Sequence, residues 1–103
     1  MTFDFHEDAL REYEEAGHWY EEQRRRLGIE FTEAIDSAIA LILEEPERHR
    51  SVGQYIRVFR VKRFPFHIFY KYYPHQNHVR VLAIAHFKRR PGYWQARSDE
   101  TAG

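Results

Sequence analysis

Apolar residues recur with two different periods along this chain, and the period changes near its middle. Over residues 2–6 polar and aromatic positions alternate, which predicts a short first strand. From Glu7 the apolar positions recur every three or four residues, which predicts a helix. These positions are Leu10, Tyr13, Gly17 and Tyr20. Gly28, which follows the basic cluster at residues 24–26, is the predicted end of this helix.

A second helix is predicted by one apolar stripe at helical spacing. The stripe consists of Phe31, Ile35, Ala38, Ile39 and Ile42. The helix should end at residues 44–46, because Pro46 disfavours helical geometry in the residue before it. Since the link between the two helices is short, we expect them to form an antiparallel hairpin.

After a connection over residues 47–54 the apolar period becomes two, which is typical of strands. Three strands are predicted at residues 55–61, 64–72 and 79–86, with turn residues at 73–77. The fold class is therefore α+β: an N-terminal strand, a helical hairpin and a three-stranded antiparallel meander, with the helices on one face of the sheet. We expect the other face to be open. Residues 1–97 should form a single domain and residues 98–103 a flexible tail.

Composition limits the chain to one small domain and removes several kinds of chemistry. It has 103 residues, 43% of them hydrophobic, and no cysteine, so disulfides, thiolate metal sites and thiol nucleophiles are excluded. Uncharged stretches such as residues 37–43 fall far short of the roughly 20 apolar residues that span a bilayer. The N-terminus also lacks the pattern of a secretory signal. We expect a cytoplasmic protein that does not associate with membranes.

The zero net charge hides two halves of opposite charge. Residues 1–50 carry 6 Lys/Arg and 14 Asp/Glu, whereas residues 51–103 carry 10 Lys/Arg and 2 Asp/Glu. Between Arg48 and Ser98 there is no carboxylate side chain at all. Such a stretch predicts a surface for an anion or an acidic partner. The alternative is that the acidic half folds against the basic half and neutralises it.

The segment that leaves the last strand gathers residues suited to metal-free cleavage of RNA. That reaction needs a base, an acid and cations around the charged phosphorane. His86 and Tyr93 are the candidates for proton transfer and Arg89 for phosphate binding, if the chain is a ribonuclease. Candidates for binding nucleic acid or another target are Arg57, Arg60, Lys62, Arg63, Arg80, Arg90, Trp94 and Arg97. Alternatively, His86 is a strand-end residue hydrogen-bonded to the backbone and Trp94 packs over the edge of the core.

Other polar clusters predict no site. His75 and His78 are only two metal-type ligands in a turn, so we expect no metal, and nothing points to another cofactor. The carboxylates of the first helix are expected to be surface charge. They are Glu12, Glu14, Glu15, Glu21 and Glu22.

A series of short motifs occurs in order along almost the whole chain. They are Trp19-Tyr20, Phe31-x-x-Ala34-Ile35, Pro46, Ile56-Arg57, Lys62-Arg63-Phe64-Pro65-Phe66, Val81-Leu82-Ala83-Ile84-Ala85-His86 and Arg89-Arg90-Pro91. In this combination, over about residues 2–97, the chain resembles the RelE/ParE superfamily of type II toxin–antitoxin toxins, often called plasmid stabilisation proteins.

The resemblance implies a small growth inhibitor that a cognate antitoxin neutralises, with an acidic, partly disordered antitoxin segment lying on the basic sheet. ParE-like members poison DNA gyrase, and RelE-like members cut messenger RNA on the ribosome without a metal. The available counterparts of the RNA-cutting set are Arg57, Lys62, Arg80, Arg89, and Tyr93 or His86. The chain lacks the lysine-dense central strands and the strand glutamate of RNA cutters, which favours the ParE-like activity. A RelE-like ribonuclease and an inactive, antitoxin-binding homologue are the alternatives.

Overall fold

The computed structural model describes the backbone of residues 1–100 and the side chains of residues 1–98. The elements are β1 (Thr2–Phe5), α1 (Glu7–Gln23), α2 (Leu27–Glu44), β2 (Arg50–Gly53), β3 (Ile56–Arg60), β4 (Phe66–Tyr73), β5 (His78–His86) and α3 (Gln95–Glu100), with a 3-10 turn at Pro74–Gln76. None of the helices within this part of the chain combines the length and the apolar character that a bilayer span requires.

The five strands form one mixed sheet in the order β1-β5-β4-β3-β2. Strands β3, β4 and β5 pair antiparallel, so the predicted meander is confirmed, and with it the α+β class. β1 instead pairs parallel with β5, because the intervening helices and strands carry the chain back to the same end of the sheet. β2 was not predicted; it is a short edge strand inside the expected connection and pairs antiparallel with β3.

The helical hairpin packs on one face of the sheet, as the two apolar periods predict. The stripe of α2 is buried there against the inward side chains of β4 and β5. These strand residues include Phe66, Ile68, Tyr70, Val79, Val81 and Ile84. α1 begins where the imidazole Nδ1 of His6 accepts a hydrogen bond from the backbone N–H of Asp8 at 3.0 Å. The core therefore lies between the hairpin and the sheet.

The predicted helix end at Gly28 is wrong. α1 ends at Gln23, and Gly28 is the second residue of α2. Glu21 holds this junction, since its carboxylate accepts hydrogen bonds from the backbone N–H groups of Arg26 and Gly28 at 2.9 and 3.0 Å. A Cβ at Gly28 would lie 2.4 Å from the carbonyl oxygen of Gly17. Glycine is therefore needed at this position for close helix packing and not as a helix stop.

The second face of the sheet is only partly open, which corrects the expectation of a wholly open face. Trp94 is 5% exposed and stacks on Phe69 with the ring centroids 4.4 Å apart. A second, smaller core forms beneath it from Ile56, Leu82, Ala83 and Ala85. The unbroken apolar run at the end of β5 explains this core, because a strand that is apolar on both sides is covered on both faces. Of the predicted tail, residues 98–100 belong to α3, and residues 101–103 lie outside the described residues.

Candidate functional site

The unpaired edge of β5 is completed by side chains from two distant parts of the chain. β1 ends where the N–H of His6 donates to the carbonyl of Val81, so the remainder of β5 lacks a strand neighbour on that side. The N–H of Ile84 donates instead to Glu12 Oε1 at 3.0 Å. The guanidinium of Arg97 donates to the carbonyl of Leu82 at 2.9 Å. Glu12 and Arg97 thus satisfy backbone groups that a strand would otherwise pair with.

Glu12 is the centre of a group that we call the Glu12 cluster: Glu12, Arg89, Tyr93 and Arg97. Arg97 donates to both carboxylate oxygens of Glu12 at 3.0 Å, and these two side chains are only 13% and 14% exposed. The phenol of Tyr93 donates to Oε2 at 2.8 Å. The Arg89 guanidinium lies 3.8 Å from the centre of the Tyr93 ring and 3.6 Å from Oε2. The cluster fastens the C-terminal segment to α1 around the edge of the sheet.

The assignment of Glu12 to surface charge is therefore wrong, and its role in joining α1 to the C-terminal segment was missed. The one signal in the sequence is its place on the apolar side of α1, in helical register with Ala9 and Ala16. A carboxylate in that stripe needs a polar partner, but the sequence does not show that the partner is Arg97.

The environment of the cluster shifts the pKa values of its members. Burial raises the pKa of the Tyr93 phenol well above its usual range, and the hydrogen bond to Glu12 and its charge raise it further. Burial alone would lower the pKa of Arg97, but the hydrogen bonds and charge of Glu12 outweigh that effect and raise it. Tyr93 is thus held protonated and Arg97 charged, so neither is prepared to release a proton.

His86, the other candidate for proton transfer, lies outside this cluster. It ends β5 opposite Phe66, and the centroids of the two rings are 5.2 Å apart. Its Nδ1 accepts a hydrogen bond from the backbone N–H of Lys88 at 3.0 Å, so the strand-end alternative describes it correctly. Among the described residues no side-chain hydrogen bond joins His86 to Arg89 or Tyr93. The structure brings Arg89 and Tyr93 together and leaves His86 apart.

The acidic half of the chain neutralises several of the predicted binding arginines. Arg80 donates to both oxygens of Asp4, at 3.0 and 2.6 Å, and Arg63 pairs with Glu30. Arg57 points to the helix-covered side of the sheet and donates to the backbone carbonyl of residue 49 at 2.8 Å. Together with the Glu12 cluster, the carboxylate pairs of Arg63 and Arg80 show that internal neutralisation accounts for part of the charge asymmetry.

Among the described residues, cations without a carboxylate partner lie at the C-terminal end of β3 and just after it. A cavity of about 720 Å³, here called the cationic cavity, is lined by Arg60, Val61, Lys62, Arg63, Phe64, Pro65 and Phe87. Within the described residues no carboxylate pairs with Arg60 or Lys62, and the Arg60 guanidinium lies 5.2 Å from the centre of the Phe87 ring. Burial lowers the pKa of neighbouring His67, and the charges of Arg60 and Arg50 lower it further. Arg90, which follows β5, is exposed and has no carboxylate partner within residues 1–98.

Beside the cationic cavity lies an apolar groove of about 450 Å³, here called the Trp19 groove. It is lined by Ala16, Trp19, Tyr20, Pro65, Phe66 and His86. Pro65 belongs to both cavities and joins them. Trp19 is 56% exposed, whereas Trp94 is buried, so the candidate aromatic of the sequence is a core residue and the exposed one was not selected. Over the residues that the structure describes, no three His, Cys, Asp or Glu side chains cluster as metal ligands do.

Comparison with known families decides the identity of the chain. The family model for the ParE toxin of the parDE type II toxin–antitoxin system matches residues 3–91. The chain belongs to this toxin family. A ParE-family toxin of this kind has an antitoxin as its partner. Among curated proteins, none matches the sequence significantly.

The fold of this ParE-family toxin is that of the RelE/ParE superfamily. The crystal structure of the isolated E. coli RelE toxin superposes with a TM-score of 0.63, covering 96% of this chain and 97% of the RelE chain. The sequences are 20% identical, so this likeness concerns the fold. The predicted superfamily and the predicted architecture are both confirmed.

Proposed function

We propose that this toxin stops growth by binding and poisoning DNA gyrase, without cutting RNA, until its antitoxin neutralises it. The match to the ParE family supports this activity over a RelE-like one. The observation that carries the proposal is the engagement of Tyr93 by Glu12 at 2.8 Å.

A metal-free ribonuclease needs a free acid or base beside a cation that can hold phosphate. In this chain the phenol of Tyr93 already donates to a carboxylate, and its pKa is raised. Arg89 lies over the Tyr93 ring, close to the same carboxylate, which would repel a phosphate at that place. Among the described residues no side-chain hydrogen bond joins His86 to Arg89 or Tyr93, and this supports inhibition by binding over cleavage.

The surface proposed for contact with gyrase is the cationic cavity, where Arg60 and Lys62 have no carboxylate partner among the described residues. Arginine and lysine without internal partners can bind carboxylates or the phosphates of a gyrase–DNA complex. Arg80 and Arg97 are less suitable, because each would first have to leave a carboxylate of this chain.

Purified toxin should inhibit supercoiling by gyrase and increase cleaved DNA complexes at micromolar concentration. Arg60→Glu should weaken this inhibition about tenfold or more, whereas Arg25→Glu, an exposed arginine of the α1–α2 link, should leave it within about twofold. Tyr93→Phe is the deciding variant. It removes the phenolic hydroxyl but keeps the ring and the Glu12–Arg97 pair, so gyrase inhibition should persist.

The same preparations should be added to translated messages, with cleavage mapped by primer extension. Codon-phased cuts that disappear in Tyr93→Phe, together with unaffected gyrase, would show a RelE-like ribonuclease and refute the proposal. If both targets are unaffected and expression without the antitoxin is harmless, the chain is an inactive homologue that only binds its antitoxin.

A further inference from the structure

We propose that the Trp19 groove and the cationic cavity together form the docking site for an acidic segment of the antitoxin. An apolar side chain of that segment would enter the groove, and its carboxylates would bind Arg60 and Lys62. The proposal uses the antitoxin partner of the family and does not depend on gyrase being the target. It also moves the expected antitoxin surface from the open sheet face to the side of α1.

The groove has the character of an anchor site. Its floor is made by Tyr20 and Phe66, which are fixed by the core: Tyr20 stacks on Phe31 with centroids 5.1 Å apart, and Phe66 is 6% exposed. Trp19 stands at the rim, edge-on to Tyr20 at 5.1 Å, with more than half of its surface in solvent. A large exposed tryptophan beside a preformed apolar groove is typical of the residues that dominate binding energies at interfaces.

The neighbouring charges define the chemistry of the occupant. None of the residues that line either cavity is an Asp or Glu, and the two cavities meet at Pro65. A single extended segment can therefore reach both. His86 adds a donor to the groove wall, because its Nδ1 already accepts a hydrogen bond and its ring proton is then on Nε2. The complementary ligand is a peptide that carries an apolar anchor followed by carboxylates.

A second copy of the chain fits this surface poorly. In a two-fold symmetric dimer the same patch meets itself, so Arg60 and Lys62 would approach the same cations of the other copy. An acidic segment has no such cost, and it would compensate charges that find no carboxylate within residues 1–98.

The test uses the full chain and its complete cognate antitoxin. Acrylamide quenching of tryptophan fluorescence should be strong in the free toxin, because Trp19 is exposed, and should fall in the saturated complex, after subtraction of the antitoxin's own signal. Trp19→Ala gives the baseline of buried Trp94. Circular dichroism checks that each variant is folded.

Dissociation constants from calorimetry give the second measurement. Trp19→Ala should weaken binding about 10- to 100-fold. The double variant Arg60→Glu/Lys62→Glu should weaken it about tenfold or more at low salt, and less at high salt, since salt screens the charge term. The matched controls are Ile29→Ala, at an exposed apolar residue on the outer side of the hairpin, and Arg25→Glu; both should stay within about twofold.

The proposal is overturned if Trp19 remains as open to acrylamide in the saturated complex as in the free chain. It is also overturned if Trp19→Ala binds within about twofold of the unchanged toxin. A free chain that sediments as a dimer and becomes monomeric on Trp19→Ala would assign the groove to a second copy. If Trp19→Ala fails to fold, the comparison of acrylamide quenching in the free and antitoxin-bound toxin still shows whether the antitoxin covers Trp19. If the toxin failed to inhibit gyrase, the proposed function would be wrong, but the quenching and binding results with the antitoxin would not be affected.

Discussion

The two glycines at the α1–α2 contact should respond in opposite ways to the same substitution. Gly28→Ala adds a Cβ that would lie 2.4 Å from the carbonyl oxygen of Gly17 and 2.9 Å from Glu21 Cβ. Gly17→Ala adds one whose nearest neighbour is the Thr32 methyl group at 3.4 Å, an ordinary contact distance. Both positions are buried and helical. They differ in what the added methyl group meets, which is backbone at Gly28 and a side chain at Gly17.

The expected cost at Gly28 follows from the atoms that must move. Gly17 contributes a backbone oxygen, so relief requires the helices to separate, and overpacking of this kind costs about 1–3 kcal/mol. Separation also strains the hydrogen bond from the Gly28 N–H to the Glu21 carboxylate. Alanine recovers up to about 1 kcal/mol of helix propensity. The net loss in the free energy of unfolding should be about 1–2 kcal/mol.

Chemical denaturation of the purified chain, followed by circular dichroism, measures both variants against the unchanged protein. For Gly17→Ala we expect a change between zero and a gain of about 1 kcal/mol, because the propensity term acts with little steric cost. Gly28→Ala at or above the stability of the unchanged chain would refute this account of the contact. An equal loss in both variants would show that the contact tolerates no added volume anywhere, which would refute it as well.

Three further predictions concern polar contacts. Glu12→Gln should lower the free energy of unfolding by about 2–4 kcal/mol, measured by denaturant titration, because a nearly buried guanidinium loses its ion pair; a loss under about 0.5 kcal/mol would contradict this. Tyr70→Phe should cost about 1 kcal/mol in the same assay, since the phenol donates to a buried carbonyl oxygen at 2.7 Å and its pKa is raised to about 12 by burial; equal stability would argue against that bond. The third prediction concerns the pKa of Asp4: burial by itself would raise it, but the hydrogen bonds with Arg80 and His78 bring it below the usual 3.8. Its contribution is therefore present above that value and is lost as the pH falls through the lower folded-state pKa, so Asp4→Asn should flatten the stability profile below about pH 4; an unchanged profile would exclude this role.

The sequence by itself determined the architecture and the family. The periods of apolar residues located both long helices and the three strands of the meander, because each element repeats one local geometry along its length. The combination of motifs from Trp19-Tyr20 to Arg89-Arg90-Pro91 indicated the toxin superfamily, which the family match over residues 3–91 confirms. Whether a helix ends or two helices touch at Gly28 was not decided by this local information.

The arrangement of charges was decided only by the tertiary structure. Glu12 and Arg97 are 85 positions apart in the sequence, and nothing in the local pattern of either predicts that they pair. The same applies to Asp4 with Arg80 and to Trp94 with Phe69. A charge run shows how many cations are present. Which of them pair with a carboxylate of the same chain, and which are left for another molecule, depends on how strands and helices from both halves meet. The sequence therefore predicted a basic half, and the fold left its Arg60 and Lys62 without a carboxylate partner among the described residues, next to a groove that residues of both halves line.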